Sequence, residues 1–80
     1  MHEMHLVKDL FSDLLKSAKD NQAKKITKVY LKLGDFSEIN EEIVRFYFKE
    51  KSQGTLAQGA EIDIAKSPNR ELRLLSFDCE

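Results

Sequence analysis

The pattern of apolar and polar positions divides the chain into two helical segments and three strands. Residues 3–19 carry apolar side chains three and four positions apart, with charged and small polar residues between them. The apolar set is Met4, Val7, Leu10, Phe11, Leu14, Leu15 and Ala18. This spacing predicts an amphipathic helix that ends near Asp20-Asn21, since both residues are poor helix formers.

A second helix is predicted from Asn40 to about Ser52. Asn40 is a good N-cap, and Glu41 and Glu42 would lie in the first turn, where the helix dipole favours negative charge. With Glu38, these two carboxylates are expected to form a solvated helix start. The buried side is predicted to consist of Ile43, Val44, Tyr47 and Phe48, with Phe46 at its edge.

Three segments show the two-residue alternation of β-strands. Residues 26–33 alternate throughout, and residues 60–64 place Ala60, Ile62 and Ile64 on one face. In residues 71–79 the phase changes midway, because Phe77 and Cys79 are odd relative to Leu72 and Leu74. One extra residue swaps the two faces of a strand, so a β-bulge is predicted near Leu75-Ser76.

The order helix, strand, helix, strand, strand predicts an α+β fold, with two helices packed on one face of a three-stranded mixed β-sheet. The last two strands are joined by the short turn at Ser67-Pro68-Asn69, so we expect them to pair antiparallel with each other. The strand–helix–strand part is expected to cross right-handed if its strands are parallel. Gly34 ends the first strand, where a turn with positive φ is expected.

The amino-acid composition limits the classes of function that the chain could have. A length of 80 residues with 41% hydrophobic and 34% charged positions is typical of one small globular domain, residues 1–80. The net charge of −1 gives no sign of nucleic-acid or membrane binding. No apolar run could span a membrane and no secretory signal is visible, so we expect the protein in the cytoplasm. The single cysteine, Cys79, excludes an internal disulfide and is expected to be a small buried residue.

The candidate chemistry lies at the start of the chain, in Met1-His2-Glu3. A free amine, the amides and the imidazole of His2 can close small chelate rings in one plane. Planar nitrogen donors suit Ni(II) and Cu(II) better than tetrahedral Zn(II). These three residues alone do not distinguish a metal site from an ordinary chain start.

His5 adds a second imidazole. The run His2-Glu3-Met4-His5 is one residue short of the zinc-hydrolase motif His-Glu-x-x-His, so hydrolysis is not favoured. Because positions i and i+3 share a helix face, His5 could approach an axial position on a metal held by His2. The alternative is a solvated histidine.

The sequence resembles the HypA family, the nickel-incorporation accessory proteins of hydrogenase maturation. The likeness runs in order through nearly the whole chain, in Met1-His2-Glu3, Ala23-Lys24-Lys25-Ile26, Val29-Tyr30-Leu31-Lys32-Leu33-Gly34, the pair Phe46 and Phe48, Gly54-Thr55-Leu56-Ala57-Gln58-Gly59-Ala60 with Ile62 and Ile64, and Leu72-Arg73-Leu74-Leu75-Ser76-Phe77.

The resemblance implies a nickel-binding domain rather than an enzyme. It places the metal on the Met1 amine, the His2 side chain and nearby backbone amides, including that of Glu3. The implied partners are a HypB-like GTPase and a hydrogenase large subunit, with urease accessory proteins in some organisms. The alternative is a protein-interaction module, or a shortened paralogue, that binds the same partners without metal.

One departure from the family pattern concerns zinc. Family members carry a module with two Cys-x-x-Cys pairs between the last two strands. In this chain Lys66-Ser67-Pro68-Asn69-Arg70 stands in its place, so the zinc module is predicted to be absent between about residues 66 and 71. Zinc binding is therefore not expected.

Overall fold

A computed structural model describes residues 3–80 and contains two helices and three strands in the predicted order. The elements are α1 (Met4–Asp20), β1 (Ile26–Leu33), α2 (Glu41–Lys51), β2 (Glu61–Lys66) and β3 (Leu72–Cys79). The α+β prediction with a mixed three-stranded sheet is confirmed. Within the described residues, no helix combines the length and apolarity needed to cross a membrane.

The strand order is β2-β1-β3, with β1 parallel to β2 and antiparallel to β3. The prediction that β2 and β3 pair with each other is therefore wrong. The physical reason lies in burial: four side chains of β1 belong to the core, whereas β2 and β3 contribute only half-buried apolar side chains. The strand with four buried side chains lies at the centre of the sheet, and the two strands with half-buried apolar side chains flank it.

The connector between β2 and β3, residues 67–71, consequently crosses the end of β1. The Ser67 N–H donates to the Leu33 carbonyl oxygen (3.0 Å), and the Gly34 N–H donates to the Glu71 carbonyl oxygen (2.8 Å). A Cβ at Gly34 would collide with the carbonyl group of Asn69. Gly34 is not among the described residues with positive φ, so the expectation of a positive-φ turn is wrong. The glycine is required there by the close approach of the connector.

The phase change in β3 is a bulge at the predicted place. Leu74 lies opposite Leu31 and Ser76 lies opposite Tyr30, so Leu75 has no partner on β1. Cys79 is exposed, and the expectation that it is buried is wrong. As the last residue of an edge strand, it lies at the rim of the sheet.

The core forms between the helices and one face of the sheet. Phe11 of α1 meets Phe48 of α2 edge-to-face, with ring centroids 5.1 Å apart, and meets Tyr47 at 6.0 Å. The Asn40 side chain accepts a hydrogen bond from the Ile43 N–H (2.9 Å), which confirms the predicted N-cap. The buried apolar residues are Val7, Leu10, Phe11, Leu14, Ala18, Ile26, Val29, Leu31, Leu33, Ile39, Val44, Phe48 and Ala57.

Candidate metal site at the start of the chain

Two of the predicted ligands, Met1 and His2, lie outside the described residues. Glu3 is the first described residue, and it occupies the N-cap position of α1 in a helical backbone conformation. His5 lies in the first turn of α1 with its side chain exposed. The structure thus places the third and fourth candidates at the helix start.

The Glu3 side chain is only 8% exposed and does not cap its own helix. Its carboxylate instead accepts hydrogen bonds from the backbone N–H groups of Ser37 (3.2 Å) and Glu38, in the loop before α2. A third donor is the guanidinium of Arg70, which forms an ion pair with the same carboxylate. Residue 3 is therefore joined to two segments that are distant in sequence.

The backbone of Glu3 takes part in the same contact. Its N–H donates to Oε1 of Glu38 (3.2 Å), so the two residues exchange backbone-to-carboxylate hydrogen bonds. A backbone nitrogen that binds a metal as an amide anion has lost its proton and can no longer donate. Coordination by the Glu3 nitrogen and this hydrogen bond to Glu38 therefore exclude each other.

Arg70 also covers Phe36, with its guanidinium carbon 5.5 Å from the ring centroid. We refer to Glu3, Phe36, Ser37, Glu38 and Arg70 as the Glu3 clamp. Burial raises the pKa of Glu3, but the hydrogen bonds from Glu38, Ser37 and Arg70 outweigh it, so the pKa lies below its ordinary value. The clamp therefore favours the ionised carboxylate.

Sequence reasoning missed this clamp. It predicted a role for Glu3 through its backbone amide alone. It placed Glu38 in a solvated helix start and Arg70 in a short turn. Glu38 is half-buried and hydrogen-bonded instead. The contacts join residues separated by 34 to 67 positions, and no local pattern signals such pairs. Across residues 3–80, no cluster of three or more His, Cys, Asp or Glu side chains forms a further candidate metal site.

A family model described as "Hydrogenase/urease nickel incorporation, metallochaperone, hypA" matches residues 1–74. The chain belongs to the HypA family. The resemblance inferred from the sequence is thereby confirmed. The family description is that of metallochaperones and not of enzymes.

Several curated HypA relatives are similar to this chain. The hydrogenase maturation factor HypA of Archaeoglobus fulgidus is 37% identical over 65 residues, which cover 81% of this chain and 59% of that protein. HypA of Legionella pneumophila (strain Lens) is 32% identical, with coverage of 90% and 64%. The hydrogenase maturation factor HybF of Escherichia coli K12 is 34% identical, with coverage of 85% and 60%. The chain thus spans about three fifths of the length of these relatives.

The fold also matches solved HypA structures. The solution structure of the Ni metallochaperone HypA from Helicobacter pylori superposes with a TM-score of 0.77, covering 96% of each chain at 21% identity. A second solution structure of a HypA protein gives a TM-score of 0.75 at 23% identity. At these identities the likeness concerns the fold.

Proposed function

We propose that this chain is a single nickel-binding metallochaperone domain that carries Ni(II) for insertion during [NiFe]-hydrogenase maturation, or during urease maturation. The observation that carries the proposal is membership of a family described as hydrogenase/urease nickel-incorporation metallochaperones, in a chain that starts with Met1-His2-Glu3. The ion is cargo in this proposal, and no catalytic step is assigned to the chain.

The proposed ligands are the Met1 amine, the His2 imidazole and backbone amides that include the nitrogen of Glu3. Four nitrogen donors in one plane suit Ni(II). The Glu3 clamp supports this site because it holds Glu3, the last residue of the donor segment Met1-His2-Glu3, in a defined position. Binding through the Glu3 nitrogen requires Glu38 to give up its hydrogen bond. Exposed His5 is proposed as an axial donor.

The proposed partners are a HypB-like GTPase, a hydrogenase large subunit and urease accessory proteins, met in the cytoplasm. Protons compete with metal for amine and imidazole donors, so acidification provides a route to release. We propose no zinc site, because the resemblance implies a zinc module between the last two strands and this chain has only Lys66-Ser67-Pro68-Asn69-Arg70 there. The alternative function is a protein-interaction module that binds no metal, and a nickel titration distinguishes it from the metallochaperone.

The test is calorimetric nickel titration of the untagged chain, a chain with one residue added before Met1, and His2→Ala, all at one pH. The untagged chain should bind one Ni(II). The extended chain should lose high-affinity binding, because the added residue converts the Met1 amine into an amide. His2→Ala should also lose it, because the imidazole is removed. Affinity of the untagged chain should fall steeply from about pH 8 to about pH 6 as protons compete for the donors.

Circular dichroism of the three proteins should be the same, which separates loss of the site from loss of the fold. His5→Ala should weaken binding if His5 is an axial ligand. Equal affinity of the untagged, extended and His2→Ala proteins would remove the N-terminal site. If the untagged protein binds no nickel, the interaction module without metal is the remaining function.

A further inference from the structure

The connector between β2 and β3 reaches the start of the chain through one side chain. Arg70 lies in this connector, is 64% exposed, and places its guanidinium on the Glu3 carboxylate and over the Phe36 ring. We propose that Arg70 is a positioning residue for the nickel site: through the Glu3 carboxylate it holds in place the last residue of the metal-binding segment Met1-His2-Glu3. The proposal rests on the nickel-binding function proposed above.

The charges of the Glu3 clamp indicate why an arginine is needed. Glu3 and Glu38 approach each other closely, because the Glu3 carboxylate accepts from the Glu38 N–H and the Glu38 carboxylate accepts from the Glu3 N–H. The Glu3 side chain is largely removed from water, and burying a charge is costly unless the charge is paired and hydrogen-bonded. Arg70 is the cation that forms an ion pair with Glu3 among the described residues. Without it, moving the Glu3 side chain outward into water would relieve the cost of burying its charge.

Movement of Glu3 would act directly on the proposed donors. The carboxylate of Glu3 and its backbone nitrogen belong to the same residue, and that nitrogen is one of the proposed ligands. Partners that orient metal ligands typically contribute about 10- to 100-fold to metal affinity. We expect the lower end of this range for Arg70, because its side chain is exposed to solvent and a variant at this position still has the Ser37 and Glu38 backbone donors available to Glu3.

The experiment compares nickel affinity of the untagged wild type with that of Arg70→Gln, Arg70→Lys and Arg73→Gln. Arg73 is the matched control: its side chain is 66% exposed and pairs with Glu71 (3.7 Å) instead of with Glu3. Arg70→Gln should lower nickel affinity on the order of 10-fold. Arg70→Lys should restore part of the loss, since it keeps the charge. Arg73→Gln should bind as the wild type does.

A metal-free measurement reports on the clamp itself. The Ser37 and Glu38 amides donate to the Glu3 carboxylate, so their hydrogen exchange should be faster in Arg70→Gln and unchanged in Arg73→Gln.

Glu3→Gln keeps the backbone nitrogen but removes the carboxylate charge. If Arg70 acts through Glu3, the double variant Glu3→Gln/Arg70→Gln should bind nickel no more weakly than the weaker single variant.

The outcomes separate the two proposals. If the wild type binds nickel and Arg70→Gln binds it equally well, the positioning role is wrong while the nickel site stands. Additive losses in the double variant would also overturn it, because Arg70 would then act independently of Glu3. If the wild type binds no nickel, the proposed function fails and takes the positioning role with it. The exchange rates of Ser37 and Glu38 then still show whether Arg70 closes the clamp.

Discussion

Single residues in the connector between β2 and β3 account for how tightly it lies on the sheet. The Glu71 carboxylate accepts a hydrogen bond from the Ser67 hydroxyl (2.5 Å), which in turn accepts one from the Asn69 N–H (3.1 Å). The hydrogen bond from Ser67 is the main cause of a lowered pKa of Glu71, whereas burial raises that pKa. A hydrogen bond from Asn69 and the positive charges of Lys32 and Arg73 lower the pKa further. The ionised form of Glu71 thus favours the folded connector.

Replacing Glu71 with glutamine should change how stability depends on pH. Because the pKa of Glu71 is lowered on folding, its contribution is present above the unfolded value, near 4.5, and is lost as the pH falls through the lower folded value. Urea unfolding of wild type and Glu71→Gln at about pH 7 and about pH 3 measures this. The stability gap should be wide at the higher pH and narrow at the lower. A gap that is the same at both would contradict the assignment.

Gly34→Ala tests the close approach of the connector to β1. The added Cβ would collide with the backbone of Asn69, which cannot move aside like the end of a flexible side chain. We expect a loss of roughly 1–3 kcal/mol in the free energy of unfolding, typical of overpacking. Equilibrium unfolding measures it, and a variant within about 0.5 kcal/mol of the wild type would show that the connector does not lie this close.

At the scale of elements, each helix presents one apolar side to the sheet, and the edge strands carry features that limit further pairing. In β3 the bulge at Leu75 interrupts the regular ladder. In β2 the guanidinium of Arg45, from α2, donates to the Ile62 carbonyl oxygen. α2 thereby contributes a polar contact to an edge strand as well as a packing face. Its exposed aromatic residue, Phe46 (64% exposed), lies outside that packing face.

The packing role of α1 is tested by comparing its two sides. Phe11→Ala should lower the free energy of unfolding by about 3–5 kcal/mol, because Phe11 is buried against the aromatic rings of α2. Lys8→Ala, on the exposed side of the same helix, should stay within about 0.5 kcal/mol of the wild type. Chemical denaturation of both variants gives the comparison. If both unfold at the same denaturant concentration, the assignment of the buried side is wrong.

For the whole molecule, the fold is closed by contacts between segments that are distant in sequence. β1 pairs with both other strands, and the Glu3 clamp joins the start of α1, the loop before α2 and the connector after β2. The apolar core lies between the helices and the sheet and contains side chains from every helix and from β1. Within residues 3–80, apolar side chains alone build this core.

We therefore expect the chain to fold without metal. Treatment with a strong chelator should leave the circular dichroism spectrum and the melting midpoint unchanged, because hydrophobic burial between helices and sheet supplies the stability. Adding Ni(II) to the chelated and dialysed protein should raise the midpoint, since a ligand bound to the folded state stabilises it. A large loss of helix on chelation would show that metal is part of the fold.

The sequence by itself determined the elements, their buried sides, the Asn40 cap, the bulge in β3 and the family. The structural features among these depend on residues close together in the chain, because periodicity and capping are local properties. The family was inferred from the order of short motifs along nearly the whole chain. The tertiary structure decided the strand order, the need for Gly34 and the anchoring of Glu3 by Arg70. These depend on which distant segments meet: β1 is the most deeply buried strand and occupies the centre, so the connector must cross it, and the crossing brings Arg70 to Glu3.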